Sequence, residues 1–203
     1  MRLVAVSKTK PPAALAEAFT AGQRLFGESY VQEWQLKAAE LALPIEWHFI
    51  GALQTNKVKY LRGGVTLIHS IDRLSLAEEI DRQWGKLGGT AEVLLQVNLG
   101  AEPSKSGAAA EELLDLVRRA AGLPHLKIRG LMTLPPYFDD PEQVRPFFRR
   151  LRELAEEISG LGLPGVEMRE LSMGMSHDFE AAIEEGATLV RVGTAIFGER
   201  DDY

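Results

Sequence analysis

The chain has 203 residues, and 23 Lys plus Arg against 29 Asp plus Glu leave a formal net charge of −6. A hydrophobic share of 45% against 26% charged residues suits one globular domain over 1–203 and excludes a disordered chain. The acidic balance argues against nucleic-acid binding, which draws on summed phosphate neutralisation, and the lack of cysteine excludes disulfides and thiolate chemistry.

In chain order, the start carries an apolar run of only four residues, too short for a signal peptide, and no stretch approaches the ~18 apolar residues of a membrane span. A cytoplasmic protein is expected. Short apolar runs predict strands over 3–7, 24–27, 46–51, 66–70, 92–98, 128–133, 170–173 and 190–194. Between them, helical periodicity predicts helices over 12–21, 30–41, 55–61, 73–87, 109–121, 141–159 and 177–185. Arg145, Arg149, Arg150 and Arg152 lie in one of these helices among glutamates and make no net basic patch. Strict strand–helix alternation implies right-handed parallel crossovers, and eight such units predict a closed (β/α)8 barrel. A doubly wound open sheet is the alternative, but the first strand runs into Lys8-Thr9-Lys10-Pro11 without the glycine-rich turn of dinucleotide sites.

In such a barrel the working groups stand at the C-terminal strand ends. Those positions hold Lys8, Glu28, Ser29, Gln54, Asn56, Asp72, Lys105, 174–178, and then Arg191, Gly193 and Thr194. Asp72 and Ser176 are expected to cap the helices that follow them, with Gly186 as a helix stop. Ser176, Gly193 and Thr194 on adjoining loops make a candidate anion cradle, with Met175 at its border. Lys8 shares a strand face with Val4 and Val6, beside the strand that carries Arg191. Partial desolvation and a nearby cation would lower its pKa and make a nucleophilic amine, as Schiff-base chemistry requires. Schiff-base lysine, phosphate cradle and ring-facing arginine together describe a pyridoxal 5′-phosphate (PLP) site. His48 reads as a core histidine. The four histidines, 48, 69, 125 and 177, show no ligand spacing with carboxylates, so no metal is expected. Lys10 reads as a solvated loop lysine, and Lys105 as either that or a secondary docking point for cofactor.

Motifs along nearly the whole chain carry a resemblance. They include Val6-Ser7-Lys8-Thr9-Lys10-Pro11, Phe26-Gly27-Glu28, His48-Phe49-Ile50-Gly51 with Gln54 and Asn56, Ser104-Lys105-Ser106-Gly107, Ser172-Met173-Gly174-Met175-Ser176 and Arg191-Val192-Gly193-Thr194. The chain resembles the pyridoxal-phosphate homeostasis proteins, single-domain relatives of the barrel half of bacterial alanine racemase. The resemblance implies a covalent PLP aldimine on Lys8, phosphate contacts from Ser176, Gly193 and Thr194, and Arg191 facing the pyridine nitrogen. It also implies cofactor-side positions at Ser29, Asn56 and Met175. Ser29 departs from the family pattern, which reads Gly-Glu-Asn-Tyr where this chain has Gly27-Glu28-Ser29-Tyr30. The family's helix ahead of the first strand is also missing, which leaves the barrel floor less covered. The implied function is a monomeric cofactor carrier that supplies PLP to apo-enzymes and lacks a robust activity of its own. The alternatives are a racemase-like enzyme, which would need acid/base groups on both cofactor faces, and a Schiff-base aldolase.

Overall fold

A computed structural model describes residues 1–100, 102 and 106–199. Eight parallel strands run in sequence order: β1 (Arg2–Val6), β2 (Leu25–Glu28), β3 (Glu46–Phe49), β4 (Leu67–Ile71), β5 (Ala91–Val97), β6 (Leu126–Thr133), β7 (Val166–Ser172) and β8 (Leu189–Val192). Each pairs with the next, and β1 closes the ring on β8 with Val4 opposite Arg191 and Ala5 opposite Val192. The crossovers hold α1 (Pro12–Thr20), α2 (Val31–Leu41), α3 (Leu74–Gly85), α4 (Leu113–Ala120), α5 (Arg145–Ser159) and α6 (Phe179–Glu184). A 3-10 turn at Thr55–Tyr60 joins β3 to β4, and one turn of helix, α7 (Thr194–Phe197), follows β8. The alternating-strand prediction of a single-domain (β/α)8 barrel therefore holds. Among the described residues no helix is long and apolar enough to cross a membrane.

Strand alternation divides the apolar residues into two cores. The larger lies between the sheet and its helices, where Leu15, Phe26, Phe49, Ile80 and Phe148 are fully enclosed. The smaller plugs the barrel itself with Val4, Leu25, Leu67, Leu94, Met132 and Leu189. Polar residues, His48, His69, Ser172 and Arg191 among them, are buried as well.

Several local expectations fail. The helix expected over 109–121 starts only at Leu113, because Ala108 bridges to Val97 and exchanges backbone hydrogen bonds with Gln96 and Asn98. Asp72 does not cap α3. Arg73 occupies the cap position and its guanidinium takes the Asp72 carboxylate at 2.6 Å. Ser176 does not cap α6 either, since Asp178 precedes that helix and its carboxylate accepts the Met175 N–H at 2.6 Å. Strand β8 stops at Val192, and Thr194 opens α7 instead of extending the strand. Gly186 does follow the end of α6, with φ of +101°, a conformation that favours glycine.

Candidate functional site

Lys8 stands two residues past Val6, at the C-terminal mouth of the barrel. It lines a cleft of about 420 Å³ together with Ser29, Gly51, Gln96, Ser106 and Leu134. Gly51 is forced by a close approach, because a Cβ there would fall 2.1 Å from the Ser29 carbonyl oxygen. The β2 and β3 loops therefore lie against each other and form one wall of the cleft.

The backbone on either side of Lys8 is clamped from below. Lys37, on the inner side of α2, is buried and donates to the Ser7 carbonyl at 2.7 Å, to Glu28 at 2.7 Å and to Glu33 at 2.6 Å. All three ammonium hydrogens are thereby used. The Ser7 hydroxyl also donates to Glu28 at 2.6 Å, and Glu33 accepts the Thr9 N–H at 2.5 Å. Burial pushes the Glu28 carboxyl up, against the pull of the Lys37 ammonium and the Ser7 hydroxyl. Thr9 takes a left-handed φ of 65°, which breaks the strand direction just past Lys8. The clamp thus grips residues 7 and 9 and leaves the residue between them to face the cleft.

The neighbouring corner is built by the ends of β7 and β8. The Ser176 hydroxyl oxygen accepts the N–H of Gly193 at 3.2 Å and of Ala195 at 3.4 Å. Two backbone donors converge on one oxygen there, the arrangement an anion's oxygen would meet. The corner lies close to β1, since a Cβ on Gly193 would come 3.3 Å from the Val6 carbonyl. Thr194 and Met175 are exposed at the same rim. Arg191 is buried inside the barrel, donating to the Ser172 hydroxyl at 2.6 Å and the Thr133 carbonyl at 2.8 Å. Burial pushes its guanidinium down to about 10, which still leaves it charged at neutral pH.

The structure thus brings Lys8 and Ser29 to one cleft, and Met175, Ser176, Gly193 and Thr194 to the adjoining corner, with Arg191 on the neighbouring inner strand face. Asn56 is not among the residues that line the cleft. It is exposed on the 3-10 turn that follows β3. Lys105 lies outside the described residues. Lys10 donates to the Glu199 carbonyl at 2.5 Å instead of standing free in solvent. Sequence reasoning missed Lys37, Glu33, Ser172 and Thr133. One signal was available for Lys37, which falls on the Trp34–Leu41 stripe at helical spacing and four residues after Glu33.

A closed parallel barrel with a lysine just past its first strand, beside a corner at β7–β8 where two backbone N–H groups converge, defines a class of protein. The family model described as the N-terminal domain of alanine racemase matches residues 1–201. The chain belongs to that family and, within it, to the pyridoxal phosphate homeostasis proteins. The relative so named from Aquifex aeolicus is 51% identical over 203 residues, covering 98% of this chain and 87% of the relative. Its counterpart from Pseudomonas aeruginosa is 49% identical over 200 residues, covering 98% and 84%. Among solved structures, PipY of Synechococcus elongatus PCC7942 with PLP bound superposes with a TM-score of 0.90 at 40% identity, covering 98% of this chain and 92% of that one. Alanine racemase from Corynebacterium glutamicum, at 18% identity and a TM-score of 0.74, shares the fold.

Proposed function

We propose that the chain binds pyridoxal 5′-phosphate at this mouth, holds it as a reversible Schiff base on Lys8, and passes it to apo-enzymes. The observation that carries the reading is the placement of a clamped lysine between a cleft of about 420 Å³ and a corner where two backbone N–H groups converge. The names of the relatives and the PLP-bound neighbour support the same cofactor. When bound, PLP supplies an aldehyde that condenses with a primary amine.

The residues present fit each part of that ligand. Lys8 offers the amine. Ser176, Gly193 and Thr194 offer hydroxyl and backbone donors to a phosphate dianion, and Met175 borders it. Arg191 offers a buried cation toward the pyridine nitrogen, where its charge disfavours protonation and weakens the ring as an electron sink. That property suits storage better than a racemase-like activity. Ser29 borders the cleft with a shorter side chain than asparagine and reaches a ligand through water. The same reading takes residues 1–203 as one monomeric unit acting in the cytoplasm.

Adding PLP to the purified protein should produce a near-visible absorbance band that Lys8→Ala abolishes, and the loaded protein should reactivate a PLP-dependent apo-enzyme. An identical band in Lys8→Ala would overturn the covalent assignment. Failure to reactivate any apo-enzyme would overturn the carrier role.

A further inference from the structure

Behind Arg191, a line of polar groups that the proposed function does not use runs through the barrel from the floor to the mouth. At the floor, Arg2 pairs with Glu46 at 3.0 Å and with Glu170 at 3.2 Å. His48 Nε2 lies 3.3 Å from Glu46 Oε1, and His48 Nδ1 lies 2.9 Å from His69 Nε2. His69 Nδ1 lies 2.8 Å from the Ser172 hydroxyl, which also takes Arg191 Nη1 at 2.6 Å. His48, His69, Ser172 and Arg191 are all buried.

Counting donors gives the line one direction. A guanidinium only donates and a carboxylate only accepts, so the line is fixed at both ends: Ser172 accepts from Arg191 and, with Glu46 taking the last hydrogen, gives its own to His69 Nδ1. His69 is then the neutral ring with its hydrogen on Nε2, which goes to His48 Nδ1. His48 in turn donates its Nε2 hydrogen to the Glu46 carboxylate. Reversing the chain would require the Glu46 carboxylate to donate. Every bond dipole therefore runs the same way, from the cation at the mouth to the anion at the floor, and chains of this kind polarise cooperatively. Burial, with Arg2 at one end and Arg191 at the other, holds His69 well below the usual imidazole range, and burial also lowers His48 against the pull of Glu46 and Glu170.

We propose that Ser172, His69 and His48 are positioning residues for Arg191: the oriented chain fixes the guanidinium at the cofactor site and couples it to the charge of Glu46 at the opposite end of the barrel. The proposal rests on the reading of Arg191 as the group that faces the pyridine nitrogen.

Its first test needs no cofactor. Long-range 1H–15N spectra of the histidines in unloaded wild-type protein should show both His48 and His69 neutral and protonated on Nε2 between about pH 6 and 8. A hydrogen on Nδ1 of either ring, or an ordinary imidazole titration in that range, would overturn the chain. The second test uses the loaded protein. Ser172→Ala should weaken PLP binding roughly tenfold, the loss expected when a charged donor forfeits its acceptor, and should shift the pH midpoint of the cofactor band. Glu46→Gln should shift that midpoint in the same direction from the far end. Unshifted midpoints in both variants would overturn the coupling. If the wild type gives no PLP band at all, the functional reading falls by itself, and the tautomers in the unloaded protein still decide the chain.

Discussion

At the scale of single residues, the site depends on groups that never face the cleft. Lys37 neutralises two carboxylates and binds the Ser7 carbonyl, so its loss would strand the fully buried Glu28 without its cation. Breaking a buried pair from one side costs about 3–5 kcal/mol. Lys37→Met should therefore lower stability by about that amount in urea denaturation, and adding Glu28→Gln should recover much of it. A loss within experimental error would show that the clamp is not rigid. The signal for Lys37 in the sequence is weak, since a helical lysine is nearly always solvated. What distinguishes it is a place on the inner stripe of α2, and only the fold shows that Glu28 and Ser7 wait there. The charge of Arg191 has a consequence of its own. Arg191→Glu should change the spectrum of bound PLP by favouring a protonated ring nitrogen, and an unchanged spectrum and pH titration would mean that Arg191 does not touch the ring.

At the scale of elements, the loops after β7 and β8 behave as one unit because Ser176 crosses from the first to hold the second. Ser176→Ala removes the oxygen on which the Gly193 and Ala195 N–H groups converge. The variant should bind PLP about tenfold more weakly, as expected for the loss of one hydrogen bond to a charged group, while its thermal midpoint moves little. A large drop in midpoint with unchanged affinity would make Ser176 a structural brace only. The Ser176-His177-Asp178 segment offers two good cap residues two positions apart, and local sequence does not rank them. Ser176 was legible as a group at the strand end, but its partner lies on another loop, and the Met175–Asp178 bond decides which residue serves α6. The register of alternating strands and helices was far easier to read, because hydrophobic period is local and the β1–β8 closure follows from the count of units.

At the scale of the whole molecule, a barrel with polar side chains in its interior should show it in the pH dependence of stability. His48 and His69 have folded-state pKa values below the reference of 6.5, so the unfolded chain binds protons first as pH falls. Their contribution is present above about 6.5 and is lost below it, as pH falls toward the folded values. Glu28, pushed above its reference of 4.5, has the opposite sign, since its contribution is present below 4.5 and lost as pH rises through its folded value. Comparing variants separates the two. The urea midpoint of the wild type should fall between about pH 7 and 5, and the slope should flatten in His69→Gln. Equal slopes would mean that the buried histidines do not set the acid limit. The central claim concerns one amine among the described lysines and those outside them, and chemical trapping tests it most directly. The PLP-loaded protein should be reduced with borohydride, digested and mapped by mass spectrometry. The reduced pyridoxyl group is expected on Lys8; finding it mainly on Lys10, Lys57 or Lys105 would contradict the assignment.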